Sequence, residues 1–122
     1  MSRALIAFSV AHGGVRLRVR LLPTDREVDR EYRGGRPRRD GLYVHAFFQP
    51  TKSQSARHGG TIVLAANGRL TELVPHEVTH AVLHALAQRI GRLLENDEPI
   101  ATAVGILTAR ILARIERLGY AP

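Results

Sequence analysis

The sequence predicts one small α+β domain over residues 1–122, on three observations. In the first half, apolar residues recur at every second position, as in strands with one buried face. From Thr71 onward they recur with the 3.6-residue period of helices. The chain has 122 residues, 44% of them hydrophobic, and no cysteine, so it is long enough to bury about two-thirds of its unfolded surface in one core without disulfide staples.

Each element follows from its residues. Ala4 to Val10 and Val15 to Leu22 read as two strands joined through His12, Gly13 and Gly14, the glycines supplying the positive φ of a tight hairpin. In the second strand Val15, Leu17, Val19 and Leu21 point one way and Arg16, Arg18 and Arg20 the other, so one face packs and the other meets water or an anion. Thr24-Asp25-Arg26-Glu27 has the form of a capping box. It opens a short helix with Val28 and Tyr32 along one edge, ended by Gly34-Gly35. The arginine-rich stretch from Gly34 to Gly41 reads as a surface loop.

Gly41 to Gln49 supplies a third strand, stopped by Pro50. Thr61 to Ala66 is a fourth, and Asn67-Gly68 turns the chain. A first long helix is expected from Thr71 to Ile90, with Thr71 as N-cap and Pro75 in its first turns. A second is expected from Asp97 to Leu118, with Ile100, Val104, Leu107, Ile111, Ile115 and Leu118 as its buried stripe. The sheet is thus small, twisted and of about four strands, packed on the first long helix and closed by the second. No internal repeat and no second domain is visible.

The net charge is +7, and the surplus is local. Residues 1–60 carry 12 Lys/Arg against 5 Asp/Glu, whereas residues 61–122 carry 6 of each. A basic first half favours an acidic or nucleic-acid partner. Against this, no aromatic side chains interleave with Arg16, Arg18 and Arg20 to stack bases, so a solvated sheet face is the preferred reading of that stripe. Without cysteine, thiolate metal sites and cysteine nucleophiles are excluded. Uncharged runs such as Ala4 to Val15 and Pro99 to Ala109 fall short of the roughly 20 apolar residues of a membrane span. No small-x-small cleavage site follows the apolar start, so a cytoplasmic protein with no membrane partner is expected.

The chemistry concentrates in His76-Glu77-Val78-Thr79-His80. Residues four apart on a helix share a face, so both imidazoles can bind one ion. Glu77 then lies beside the metal without ligating it, where it can take a proton from water. With six His and seven Glu in the chain, this spacing arises by chance only about 2% of the time, and here it falls mid-helix with Val78, Ala81 and Val82 filling the core-facing positions.

A third protein ligand must be His, Asp or Glu. His84 lies about 12 Å along the helix axis from His76, too far to share one ion with the pair. Glu95, Asp97 and Glu98 cluster where the second long helix begins. A turn over Gly91 to Asn96 would bring that start back beside the metal face. Glu98 is the preferred ligand, Glu95 the alternative, and Asp97 the helix cap.

These residues resemble the gluzincin metallopeptidases, in which a His-Glu-x-x-His helix is followed by a glutamate ligand on the next helix. His76 to His80 match the first motif in full, and Asn96-Asp97-Glu98-Pro99-Ile100-Ala101-Thr102, 18 residues after His80, is similar to the second. The small size is similar to the minigluzincins and to small metallopeptidases encoded by phages and other mobile elements. The resemblance covers about residues 60–110 and implies a zincin-like fold and a Zn2+ ion on His76, His80 and Glu98. It also implies Glu77 as general base for hydrolysis of a peptide bond in a peptide or protein substrate. It further implies that the strand before the helix, Thr61 to Ala66, forms the sheet edge along which substrate lies. Thr102 stands where thermolysin-like members carry an aspartate that orients a histidine ligand.

Five side chains, Tyr43, His45, His58, His84 and Tyr120, have the chemistry to stabilise an oxyanion, and the sequence selects none. Two other readings compete with a peptidase: a zinc-stabilised interaction module without turnover, and a basic nucleic-acid-binding protein using Arg16, Arg18, Arg20 and the Arg33 to Arg39 loop. The sequence does not fix the oligomeric state.

Overall fold

A computed structural model describes residues 3–34, 36, 43–51, 59–87 and 98–121. Four strands, β1 (Ile6–His12), β2 (Val15–Leu22), β3 (Ala46–Pro50) and β4 (Gly60–Ala65), form one sheet in the order β1-β2-β4-β3. Three helices complete the described chain: α1 (Asp25–Arg33), α2 (Leu70–Ala87) and α3 (Glu98–Arg117). The sheet is mixed. β1 and β2 form an antiparallel hairpin across Gly13 and Gly14, whose φ angles of 58° and 82° suit a primed turn. β4 runs parallel to β2, and β3 closes the other side antiparallel to β4. The expected α+β class with a four-stranded mixed sheet is what the chain adopts. No helix among the described residues is long and apolar enough to cross a membrane.

Alternation in β2 sorts the two faces. Val15, Leu17, Val19 and Leu21 are buried with Ile62 and Leu64 of β4 under α2 and α3. Leu22, Val63 and Ala65 point the other way and form a smaller cluster with Val28 of α1. α2 packs on β3 and β4, whereas α3 packs on α2 and β1. α3 buries Ala103, Leu107, Ile111 and Ile115, and its Arg110 guanidinium donates to the Ala11 carbonyl on β1 while Arg114 sits over the Phe8 ring.

α1 is capped at both ends as its sequence requires: Thr24 Oγ1 accepts from Glu27 N at 3.4 Å, and Gly34 closes it in the left-handed conformation at φ 59°. Its inner side buries Val28 and Asp29, while Tyr32, expected on the apolar edge, is 53% exposed and meets Phe47 ring to ring. Asp29 accepts from Arg33 and from the Val44 backbone, tying α1 to the approach of β3.

Several expectations are corrected. The strand before α2 does not form the sheet edge: β4 is internal, flanked by β2 and β3, and β3 is the edge. The physical sign is that β4 is apolar on both faces, as a doubly covered strand must be. Pro50, expected to stop the third strand, ends it from within, at an edge where its missing N–H leaves no ladder bond unmade. α2 starts at Leu70, with the Arg69 carbonyl accepting from Leu73 N, so Thr71 lies inside the first turn and is not the cap. The end of the expected helix, residues 88–90, and the turn over Gly91 to Asn96 lie outside the described residues.

Candidate metal centre

α2 carries the site because its core face is continuous: Leu70, Val74, Val78, Ala81 and Val82 are buried against the sheet and α3. His76 and His80 lie one turn apart beside this face, both exposed. Their Nε2 atoms are 3.3 Å apart and their rings meet edge-on, at 4.9 Å between centroids and 77° between planes. Two imidazole nitrogens on one tetrahedral zinc, each at about 2.0–2.1 Å, are separated by about 3.3–3.4 Å. The pair is therefore already spaced as two ligands of one ion.

Glu77 is on the flank between the histidines and the core and is only 5% exposed. Its Oε2 is buried without a hydrogen-bond partner among the described residues. Burial pushes its pKa above the ordinary carboxylate value of 4.5, and the neighbouring His76 and His80 pull it back in part. A buried carboxylate with an unmet oxygen beside two converging imidazoles fits a cation and a proton-transfer role. Each of the three residues offers a ligand atom within 4.8 Å of the others, and among the described residues they form the one such group of His, Asp and Glu.

The site opens on a groove of about 440 Å³ between α2 and the edge strand. Glu77, His80 and His84 form its helical wall, and Ala46, Phe48 and Pro50 of β3 form the opposite one. His84 meets the Phe48 ring edge-on at 5.8 Å. Of the five oxyanion candidates, His84 is the one that lines this groove. His45 turns to Asp25, with Nδ1 3.3 Å from Oδ2. Tyr120 packs against the main core, Tyr43 is half-buried just ahead of β3, and His58 lies outside the described residues.

Glu98, expected as the third ligand, does not join the histidines. It lines a separate pocket with His12, Gly13, Leu86 and Thr102. Leu86 lies about 80° round the helix from His76, about 120° from His80 and about 180° from Glu77, so the start of α3 sits on the flank of α2 opposite Glu77. The start of α3 shares a pocket with Leu86 of α2, and the helix packs on α2 and β1. Glu95 and Asp97, the alternative ligand and the cap, lie outside the described residues.

The sequence reading missed the edge strand as the second wall of the groove. Pro50 in an otherwise strand-like run was the available signal, since proline is tolerated at sheet edges and excluded from sheet centres. No family model, curated protein or solved structure matches this chain.

Proposed function

We infer that this chain is a zinc-dependent peptidase that cleaves an extended peptide segment in the groove between α2 and β3. One observation carries the reading: two imidazole nitrogens 3.3 Å apart flank a buried carboxylate whose Oε2 has no partner among the described residues. Glu77 and His80 belong to the helix wall of one groove, and His76 lies one turn from His80. A site with imidazole and carboxylate donors and no thiolate suits Zn2+.

His76 and His80 would hold the ion. Zinc in such a site acts as a Lewis acid that acidifies water and polarises a carbonyl. Glu77 accepts a proton from the attacking water and delivers it to the departing amine. Its raised pKa suits this role, because a carboxylate that holds a proton more firmly is the better base and a competent acid on the return step. The free side of β3 can pair with the backbone of an extended guest, giving affinity from main-chain hydrogen bonds. Glu98 as third ligand rests on its motif alone, and its distance from the pair is what a Glu98 variant tests. A peptide or protein substrate met in the cytoplasm completes the proposal.

The test couples metal to turnover. Native mass spectrometry is expected to find one zinc per chain after reconstitution, lost in His80→Ala and kept in Glu77→Gln. A peptide-library digest is then expected to show cleavage by the wild type and none by Glu77→Gln. Failure to take up zinc would overturn the reading. Zinc without any cleavage would instead favour a zinc-stabilised interaction module.

A further inference from the structure

We propose that the sheet face opposite α2 and α3 binds the phosphate backbone of a nucleic acid, with Arg16 and Arg18 as its principal contacts. α1 covers only one end of that face, where Leu22, Val63 and Ala65 pack against Val28. Beyond it the face is uncovered among the described residues. Strand register lines up Ser9, Arg18, Thr61 and Gln49 as one row across all four strands. With neighbouring strands about 4.8 Å apart, the row is about 14 Å long and polar throughout. Arg16 extends it by one step of about 6.7 Å along β2.

No ion pair holds Arg16 or Arg18 among the described residues. Arg20, the third arginine of the strand, is paired with Glu31 at 2.6 Å and belongs to the fold. Two other acids of α1 are likewise engaged: Asp29 with Arg33, and Asp25, which lies beside His45 and accepts from the Asn67 side-chain amide. Arg16 and Arg18 are exposed and have no acidic partner among the described residues. Arg26 and Arg30 add exposed positive charge on α1.

The neighbours decide which polyanion fits. On β1, Ala7, Ser9 and Ala11 are exposed and small, leaving room for a backbone to approach the guanidinium groups. Hydroxyl and amide groups from Ser9, Thr61 and Gln49 are the residue types that join arginine on phosphate and sugar oxygens. The row itself has no aromatic ring to stack bases, so its contacts are with the backbone and are independent of sequence. It also has no apolar anchor, as insertion into a lipid headgroup layer would need.

Fluorescence anisotropy with a labelled single-stranded oligonucleotide and its duplex, titrated over a series of salt concentrations, tests the assignment. Wild-type protein should bind, with log affinity falling linearly against log salt. In Arg16→Gln/Arg18→Gln the single-strand slope should be shallower by about 1.4, the share of two phosphates at about 0.7 each, and low-salt affinity should drop. Arg16→Lys/Arg18→Lys should keep the slope, which separates lost charge from a disturbed strand. His80→Ala should bind as wild type does, so this result stands apart from that of the metal centre. Absence of binding at the lowest salt, or an unchanged slope in the glutamine variant, overturns the proposal. Equal arginine-dependent binding to polyglutamate or to phosphatidylserine vesicles also overturns it.

Discussion

His84 on α2 and Phe48 on β3 meet edge-on across the groove, with ring centroids 5.8 Å apart. This contact joins the helix that carries the metal pair to the strand that lines the opposite wall, so it sets the width of the cleft. Phe48→Ala removes one partner and opens a void under a half-buried position. A loss of about 1–3 kcal/mol is expected, below the cost of deleting a fully buried phenylalanine, read as a lower denaturation midpoint. Zinc uptake should survive, because neither His76 nor His80 touches Phe48 through a ring contact.

Zinc should stabilise the native chain in proportion to its excess. An ion that binds only the folded state adds about 4 kcal/mol at a thousandfold excess over its dissociation constant. Thermal melts of the metal-free wild type should therefore shift upward with added zinc, and those of His80→Ala should not.

The raised pKa of Glu77 gives a signed prediction for the metal-free protein. A carboxyl that holds its proton more tightly when folded stabilises the fold below its ordinary value of 4.5, and this contribution is lost as pH rises through the folded value. The stability difference between wild type and Glu77→Gln should accordingly move against the wild type as pH rises over that window. Parallel pH profiles for the two proteins would contradict the assignment.

Glu98→Ala should retain zinc, because Glu98 lines a pocket with His12 and Leu86 and not the groove of Glu77 and His80. Metal content by native mass spectrometry decides it. Loss of the ion in this variant would mean that the start of α3 reaches the histidines when metal binds.

Gly60→Ala should be strongly destabilising. A methyl group there would meet the Gln49 carbonyl oxygen at 2.3 Å and the Phe48 ring at 2.7 Å, and φ is 147°. Separating β3 from β4 at this point costs ladder hydrogen bonds as well as packing. A loss of about 2 kcal/mol or more follows, measurable by urea titration.

Local features were the most legible in the sequence. The alternation of Val15 to Leu21, the Thr24 cap and the Gly13-Gly14 turn depend on neighbours within a few residues, and each forms as read. The adjacency of His76 and His80 was legible for the same reason, since helical spacing alone brings them together. What depends on the meeting of distant segments was not. β4 carries apolar residues on both faces, Ile62 and Leu64 against Val63 and Ala65, yet its place between β2 and β3 follows from packing with two separate helix layers. Glu98 illustrates the same limit: its position turns on which flank of α2 receives α3, whose Leu107 and Ile111 are buried in the main core.

The two margins of the sheet are unequal. At β1, Arg110 occupies the Ala11 carbonyl and Arg114 lies over Phe8, so incoming strands meet bound and charged groups there. β3 has no such guard among the described residues. A second copy joining edge to edge would then use β3 against β3, a self-complementary contact that closes after two chains and cannot propagate into a fibre. Such a pair would lie across both grooves at once.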